Sequence, residues 1–69
     1  MKSKAYGLYF YDNGIYKRFE YCINILWLID GLISACKRRR YWDRLIVERL
    51  YFNAEDKLVK HKTIHTFIR

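Results

Sequence analysis

The sequence predicts a single α+β domain of order ββαββ, in which one helix packs on a four-stranded antiparallel sheet. Aromatic and β-branched residues flank an Asn13-Gly14 pair, an apolar stretch with helical periodicity occupies the middle of the chain, and two further strand-like segments follow. The 69 residues suffice for one domain spanning residues 1–69. A chain this short buries only roughly 60% of its unfolded surface. We therefore expect a modest core, supplemented by a dimer or a bound partner.

Residues 5–21 are predicted to form the first β-hairpin. Asn-Gly between strand-like runs indicates a type I′ turn, because both central residues of that turn need positive φ. A two-residue loop pairs Tyr11 with Tyr16 and Leu8 with Phe19, and opposed residues share a face. The register assigns these residues to the core face: Tyr6, Leu8, Phe10, Ile15, Phe19 and Tyr21. The other face receives Tyr9, Tyr11, Tyr16 and Arg18.

The second face of this hairpin has two interpretations. Tyrosines suit a half-exposed strand for purely structural reasons. Alternatively, Tyr9, Tyr11 and Tyr16 form, together with Arg18, a platform that stacks on or contacts a partner.

The apolar stretch after this hairpin is predicted to be the helix, with Asn24 as its N-cap. Gly31 in mid-helix costs about 1 kcal/mol relative to Ala, and close packing of the helix backbone against a strand would explain it. Trp27 lies near the polar side and is expected under a loop or exposed to a partner. The helical period predicts that one apolar stripe faces the sheet: Ile25, Leu26, Leu28, Ile29, Leu32, Ile33 and Cys36.

Cys22 and Cys36 lie fourteen residues apart, on or beside the helix, and are therefore too distant for a disulfide. Free, mostly buried thiols are expected, which is typical of the cytoplasm. The amino terminus lacks an apolar segment of the signal-peptide kind. Residues 22–36 are apolar but shorter than the roughly 20 residues that a bilayer requires, so no membrane span is expected.

The basic residues are concentrated at the end of the helix. The chain carries 14 Lys and Arg against 7 Asp and Glu, a formal net charge of +7, which favours nucleic acid, anionic membrane or acidic protein as partners. Four consecutive cations exceed what the helix dipole needs at its C-terminus. They form either a solvated helix end or a site for phosphates or carboxylates. The predicted patch contains Lys37, Arg38, Arg39, Arg40, Trp42 and Arg44.

Residues 44–52 and 58–68 are predicted to form the second hairpin, joined by a five-residue loop. That loop opposes unlike charges and matches apolar residues. The predicted pairs are Phe52 with Leu58, Arg49 with His61, Glu48 with Lys62 and Ile46 with Ile64. Apolar residues fall on both faces of this hairpin, and a single helix covers only one face. Self-association as a homodimer, or a protein partner, is therefore expected.

No arrangement of residues predicts catalysis, so we expect a protein that is not an enzyme and has no cofactor. His61 and His65 have the spacing of a helical metal pair. In a strand, however, residues four apart lie about 13 Å from each other, which is too far for one ion. No metal site is expected.

In its size and its hairpin-helix-hairpin plan, the chain resembles the small accessory proteins with which bacteriophages block host machinery, including anti-CRISPR proteins. The resemblance is one of size and architecture, over the whole chain. It implies a non-enzymatic inhibitor that binds a host protein or a nucleoprotein defence complex through basic and aromatic surface residues. Many such inhibitors are acidic mimics of DNA, whereas this chain is basic. Contact with an acidic or nucleic-acid-lined surface is therefore expected.

A nucleic-acid-binding regulator is the alternative interpretation. In that case the tyrosine platform stacks on bases and the Arg/Lys patch neutralises phosphates. The candidate contact residues are the same for both functions: Tyr9, Tyr11, Tyr16, Arg18, Lys37, Arg38, Arg39, Arg40, Trp42 and Arg44.

Overall fold

The computed structural model describes residues 3–68, so Met1, Lys2 and Arg69 of the predicted domain lie outside the described residues. The elements are β1 (Ser3–Asp12), β2 (Ile15–Cys22), α1 (Ile25–Lys37), a 3₁₀ turn (Arg39–Tyr41), β3 (Arg44–Phe52) and β4 (Leu58–Ile68). The strands form one antiparallel sheet of order β2-β1-β3-β4. The predicted ββαββ architecture is confirmed. The sequence had left the strand order open, and the structure places β1 and β3 at the centre.

The first hairpin has the predicted turn but a different register. Asn13 and Gly14 have φ of 53° and 78°, as a type I′ turn requires, and Tyr11 pairs with Tyr16. Beyond that pair the register shifts, because Lys17 is an extra residue in β2 and Phe10 pairs with Arg18. The predicted faces are therefore wrong along most of β2. Arg18 lies on the helix side of the sheet, opposite to the tyrosine face.

The same shift moves two aromatic residues of β2. Phe19 pairs with Tyr9, and Tyr21 pairs with Gly7. Both side chains therefore share the face of Tyr9 and Tyr11, and their predicted assignment to the core face is wrong.

The second hairpin has the predicted strand bounds and the predicted Phe52–Leu58 pair. Its register then shifts twice, because Val59 and Ile64 are extra residues in β4. The other predicted pairs are therefore wrong: Arg49 opposes Lys62, Glu48 opposes Thr63 and Ile46 opposes Thr66. The shifts fall in β2 and β4, the two edge strands. Irregular, lysine-bearing edges protect a sheet against pairing with other chains.

Helix α1 begins as predicted but buries a different face. The Asn24 side chain accepts a hydrogen bond from the Trp27 backbone N–H at 2.9 Å, which confirms the N-cap. Leu28 and Ala35 are buried and Leu32 is half-buried. The predicted stripe is wrong for five residues, which are exposed: Ile25, Leu26, Ile29, Ile33 and Cys36.

Small residues determine which face of α1 is buried. A Cβ atom on Gly31 would lie 2.8 Å from Leu8 Cδ1, so the helix backbone approaches β1 at this residue. The expected packing reason for Gly31 is confirmed. The apolar residues are spread so widely around the helix that hydrophobicity alone does not select the buried face.

The core lies between α1 and the strands β1 and β3, with Leu8 and Leu45 fully buried. Trp42 is 5% exposed. Its indole Nε1–H donates to the Ala35 carbonyl at 2.9 Å, and its ring meets Phe10 edge-on. This indole fastens the C-terminal end of α1 to the sheet.

The cysteines are both free. Cys22 is buried as expected, whereas Cys36 is exposed. None of the helices within residues 3–68 has the length and apolar character needed to cross a membrane.

Candidate anion-binding cleft

A cleft of about 640 Å³ lies between β2, the C-terminal end of α1 and the 3₁₀ turn. Phe10, Ala35 and Trp42 contribute apolar surface to it, and four cationic side chains line it: Lys17, Arg18, Arg38 and Arg40. Its volume lies in the range of about 300–1,000 Å³ that is typical of ligand sites. The predicted basic patch therefore borders a concave surface.

The end of α1 positions two of the arginines. Arg38 is the C-cap residue, and its backbone N–H donates to the Ala35 carbonyl at 3.0 Å. The chain then turns tightly, and the Tyr41 N–H donates to the Arg38 carbonyl at 3.0 Å. Arg38 and Arg40 line the cleft, and Arg39 lies exposed between them in the sequence.

The irregularity of β2 positions the other two cations. Neighbouring residues of a regular strand point to opposite faces, yet Lys17 and Arg18 both line the cleft. The extra residue in β2 interrupts the alternation at this point. Lys17 was not among the predicted contact residues, because nothing in the sequence indicated the bulge.

Positive charge exceeds negative charge in the cleft. The Arg18 guanidinium pairs with Glu20 at 2.8 Å, and Asp12 is the other acidic residue of the lining. Among the described residues, no carboxylate lies within 4.0 Å of the charged groups of Lys17, Arg38 or Arg40. These three cations are therefore available to an anionic ligand.

Aromatic rings accompany these cations. The Arg18 guanidinium lies 5.8 Å from the centre of the Phe10 ring, and that of Arg40 lies 5.7 Å from the centre of the Tyr41 ring. Tyr41 is exposed. It was not predicted as a contact residue, although it directly follows the basic run. A planar group with a negative charge would find stacking and ionic partners here.

Trp42, a predicted contact residue, belongs to the core and also contributes to the lining of the cleft. Its ring is buried, and the Ala35 carbonyl engages its N–H. Lys37 is exposed in the last turn of α1.

The predicted tyrosine face exists on the other side of the sheet. Tyr11 meets Tyr16 at 5.8 Å between ring centres, and Tyr9 meets Phe19 at 4.8 Å. Gly7 makes room for the second pair, because a Cβ atom on it would lie 2.7 Å from Phe19 Cε1. Three cross-strand aromatic pairs lie on this face in the described part of the chain, the third joining Tyr21 and Phe52.

Arg44 and Glu48 border the tyrosine face. Arg44 opposes Tyr11 and is exposed on the same side of the sheet. Burial raises the pKa of Tyr9, and the neighbouring Glu48 carboxylate raises it further. The predicted contact residues are thus divided: Arg18, Arg38 and Arg40 line the cleft, whereas the tyrosines and Arg44 lie on the opposite face.

The cleft is suited to binding an anion. In residues 3–68, no group of three or more His, Cys, Asp or Glu residues could hold a metal ion. Guanidinium groups form bidentate hydrogen bonds with phosphate and carboxylate, and the cleft contains three of them.

The chain matches no protein-family model, and no curated protein or solved structure resembles it significantly.

Proposed function

We propose that this chain is a non-enzymatic interaction protein that binds a polyanionic partner through the cleft. In its most specific form the proposal is a phage-type inhibitor, similar to anti-CRISPR proteins, that docks on a host protein or nucleoprotein defence complex. The observation that supports it best is the presence of Lys17, Arg38 and Arg40 beside exposed aromatic surface, with no carboxylate of the described residues within 4.0 Å of their charged groups.

The positions of these cations favour a ligand with several phosphates, because the cations converge on one cleft and are not scattered over the surface. Arg38 caps the tight 3₁₀ turn, Arg40 lies within it, and Lys17 approaches from β2. Side chains that converge on one cleft from two elements can contact adjacent phosphates of one strand. The net charge of +7 adds long-range attraction to nucleic acid or to a nucleic-acid-lined protein surface.

A nucleic-acid-binding regulator is the second candidate, and the exposed Tyr41 ring beside Arg40 favours it. Stacking of a base on an aromatic ring contributes about 1–3 kcal/mol without requiring a particular sequence. The tyrosine face with Arg44 offers a second stacking surface on the other side of the sheet.

Affinity capture from a host lysate, with and without nuclease, tests both candidates. A discrete protein complex that survives nuclease supports the inhibitor, and recovery of nucleic acid alone supports the regulator. The Arg38→Ala/Arg40→Ala variant should lose the captured partner in either case. The matched control is Lys57→Ala/Lys60→Ala, which removes the same charge from exposed positions of the second hairpin.

Salt dependence gives the quantitative test. If Arg38 and Arg40 each contact a phosphate of single-stranded nucleic acid, their removal should flatten the slope of log K against log salt by roughly 1.4. The control variant should flatten it by less. No oligonucleotide binding at low salt, together with no protein or nucleoprotein captured from lysate, would refute the proposal.

A further inference from the structure

Helix α1 covers only half of its side of the sheet. It packs over β1 and β2. On the same side of the sheet, Leu45 and Val47 of β3 are buried in the core, and the surface between α1 and the exposed strand β4 is left as an open groove. The floor of this groove comprises half-buried and exposed helix-side residues of β3 and β4: Arg49, Tyr51, Lys62, His65 and Phe67. All of β4 is exposed.

The wall of the open groove is an apolar flank of α1. Trp27 and Ser34 line a depression beside β2, so this side of the helix faces β2. At 100° per residue, Ile25, Ile29 and Cys36 lie on the opposite flank, which faces β3 and β4. Ile25 and Ile29 are 50% and 48% exposed.

The top of α1 is apolar as well. Leu26 and Ile33 lie opposite the buried Ala35 on the helical wheel, and they are 71% and 51% exposed. Asp30 lies nearly opposite the buried Leu28. No cation is within 4.0 Å of its carboxylate among the described residues. This helix therefore presents to solvent an apolar ridge with the Asp30 carboxylate near its middle and Lys37 at its C-terminal end.

The floor of the open groove needs an acidic partner. The Arg49 guanidinium lies between the rings of Tyr6 and Tyr51, at 5.9 and 5.8 Å from their centres. Its Nε is buried and has no hydrogen-bond acceptor, and Lys62 lies directly opposite on β4. Among the described residues no carboxylate lies within 4.0 Å of either cation, so an occupant that brings a carboxylate to this point is favoured.

We propose that α1 of a second copy of this chain occupies the open groove, in a two-fold dimer where each helix lies in the groove of the other copy. Leu26 and Ile33 of one copy then cover the aromatic rings, Tyr51 and Phe67, in the floor of the other. Asp30 of each copy faces the Arg49–Lys62 row of the other, and the two Ile29 side chains meet between the helices.

The heights of the residues along the sheet agree with this arrangement. Gly31 lies over Leu8, which pairs with Val47 of β3. A two-fold axis parallel to α1 keeps every residue at its own height when it is transferred to the second sheet. Asp30 then comes level with the rows that contain Val47 and Arg49, where the unpaired cations lie.

Sedimentation of the full chain over a dilution series tests the proposal. The wild type should associate to a dimer, and Ile29→Asp should weaken it by roughly a hundredfold or more, because two carboxylates would be buried without partners. Ile15→Asp is the matched control. Ile15 is also exposed but lies at the start of β2, so this variant should dimerise like the wild type. Circular dichroism verifies that both variants fold.

A charge exchange tests the orientation. Asp30→Lys and Lys62→Asp should each weaken the homodimer, because each substitution brings like charges together. An equimolar mixture of the two variants should form a heterodimer with nearly wild-type affinity, since opposite charges then meet at both contacts. Failure of the mixture to recover would refute the proposed orientation.

The labelling rate of Cys36 tests the proposed dimer in the wild-type protein, without a substitution. This cysteine is exposed and lies on the flank that faces the open groove, so its rate of labelling should fall as the protein concentration rises. A strict monomer at high concentration, or equal loss of association in Ile29→Asp and Ile15→Asp, would overturn the proposal. Capture of a foreign protein by a monomer, abolished by Ile29→Asp, would also overturn it in favour of that occupant.

Discussion

The two halves of the helix side of the sheet differ in what covers them. Over β1 and β2, α1 buries Leu8, Phe10 and Cys22, whereas the residues of β4 are exposed. The short connection between β2 and α1 explains the asymmetry. Because only two residues join them, the helix packs over β1 and β2, the strands that directly precede it. Stability is thus concentrated in the core around β1 and the buried residues of β3, and the exposed side of β4 is available for binding.

Truncating one large residue in each half should give the largest contrast. Leu8→Ala should lower the free energy of unfolding by about 2–5 kcal/mol, because Leu8 is fully buried and its removal leaves a cavity. Phe67→Ala, at 39% exposure in the open half, should cost much less in dilute solution. Urea unfolding at low protein concentration measures both. Equal losses would contradict the placement of the core around β1 and β3.

Alanine substitutions on the buried side and on the open flank of α1 should change the free energy of unfolding by smaller amounts and with opposite signs. Gly31→Ala gains about 1 kcal/mol of helix propensity. However, its Cβ would lie 2.8 Å from Leu8 Cδ1, and overpacking a core costs about 1–3 kcal/mol. A net loss is expected. Ile29→Ala on the open flank should be neutral or slightly stabilising in dilute solution.

The double variant Leu8→Ala/Gly31→Ala sharpens this test by removing the clash. In the Leu8→Ala background, Gly31→Ala should become stabilising. Non-additivity of this kind identifies residues in direct contact. Additive effects would show that close approach to Leu8 is not the reason for glycine at this position.

The same contrast shows what the sequence could predict. Strand bounds and turns follow from local signals, such as Asn13-Gly14 and the alternation in β3. The registers do not, because the extra residues Lys17, Val59 and Ile64 are unremarkable in sequence. For the same reason, the basic run predicted Arg38 and Arg40 but not the approach of Lys17 to them.

The buried face of α1 could not be predicted from the sequence either, and the reason is different. Apolar residues surround most of the helix, so their periodicity does not distinguish the core from a binding surface. The small residues Gly31 and Ala35 were the available signal, because they allow the closest approach to a sheet. Their alignment would have placed Ile29 and Ile33 outside the core.

The labelling rates of the two thiols should show the smallest difference between the covered half and the open half of the sheet. Burial raises the pKa of the Cys22 thiol, and the Glu20 carboxylate raises it further, whereas Cys36 is exposed. At low protein concentration a thiol reagent should therefore label Cys36 rapidly and Cys22 only at the rate of unfolding. Rapid labelling of both cysteines in the folded protein would show that α1 does not exclude solvent from the β1 and β2 side of the sheet.

The raised pKa of Cys22 also sets a pH dependence. The unfolded thiol ionises near its ordinary value of 9.0, while the folded thiol retains its proton to higher pH, so the unfolded state binds fewer protons above that value. The contribution of Cys22 to the free energy of unfolding should therefore be constant below about pH 8 and decline as the pH rises through 9. Tyr9, whose pKa is raised from 10.0, should steepen the decline at higher pH. Tyr9→Phe should remove this second part and leave the first unchanged, which urea titrations between neutral and alkaline pH would resolve.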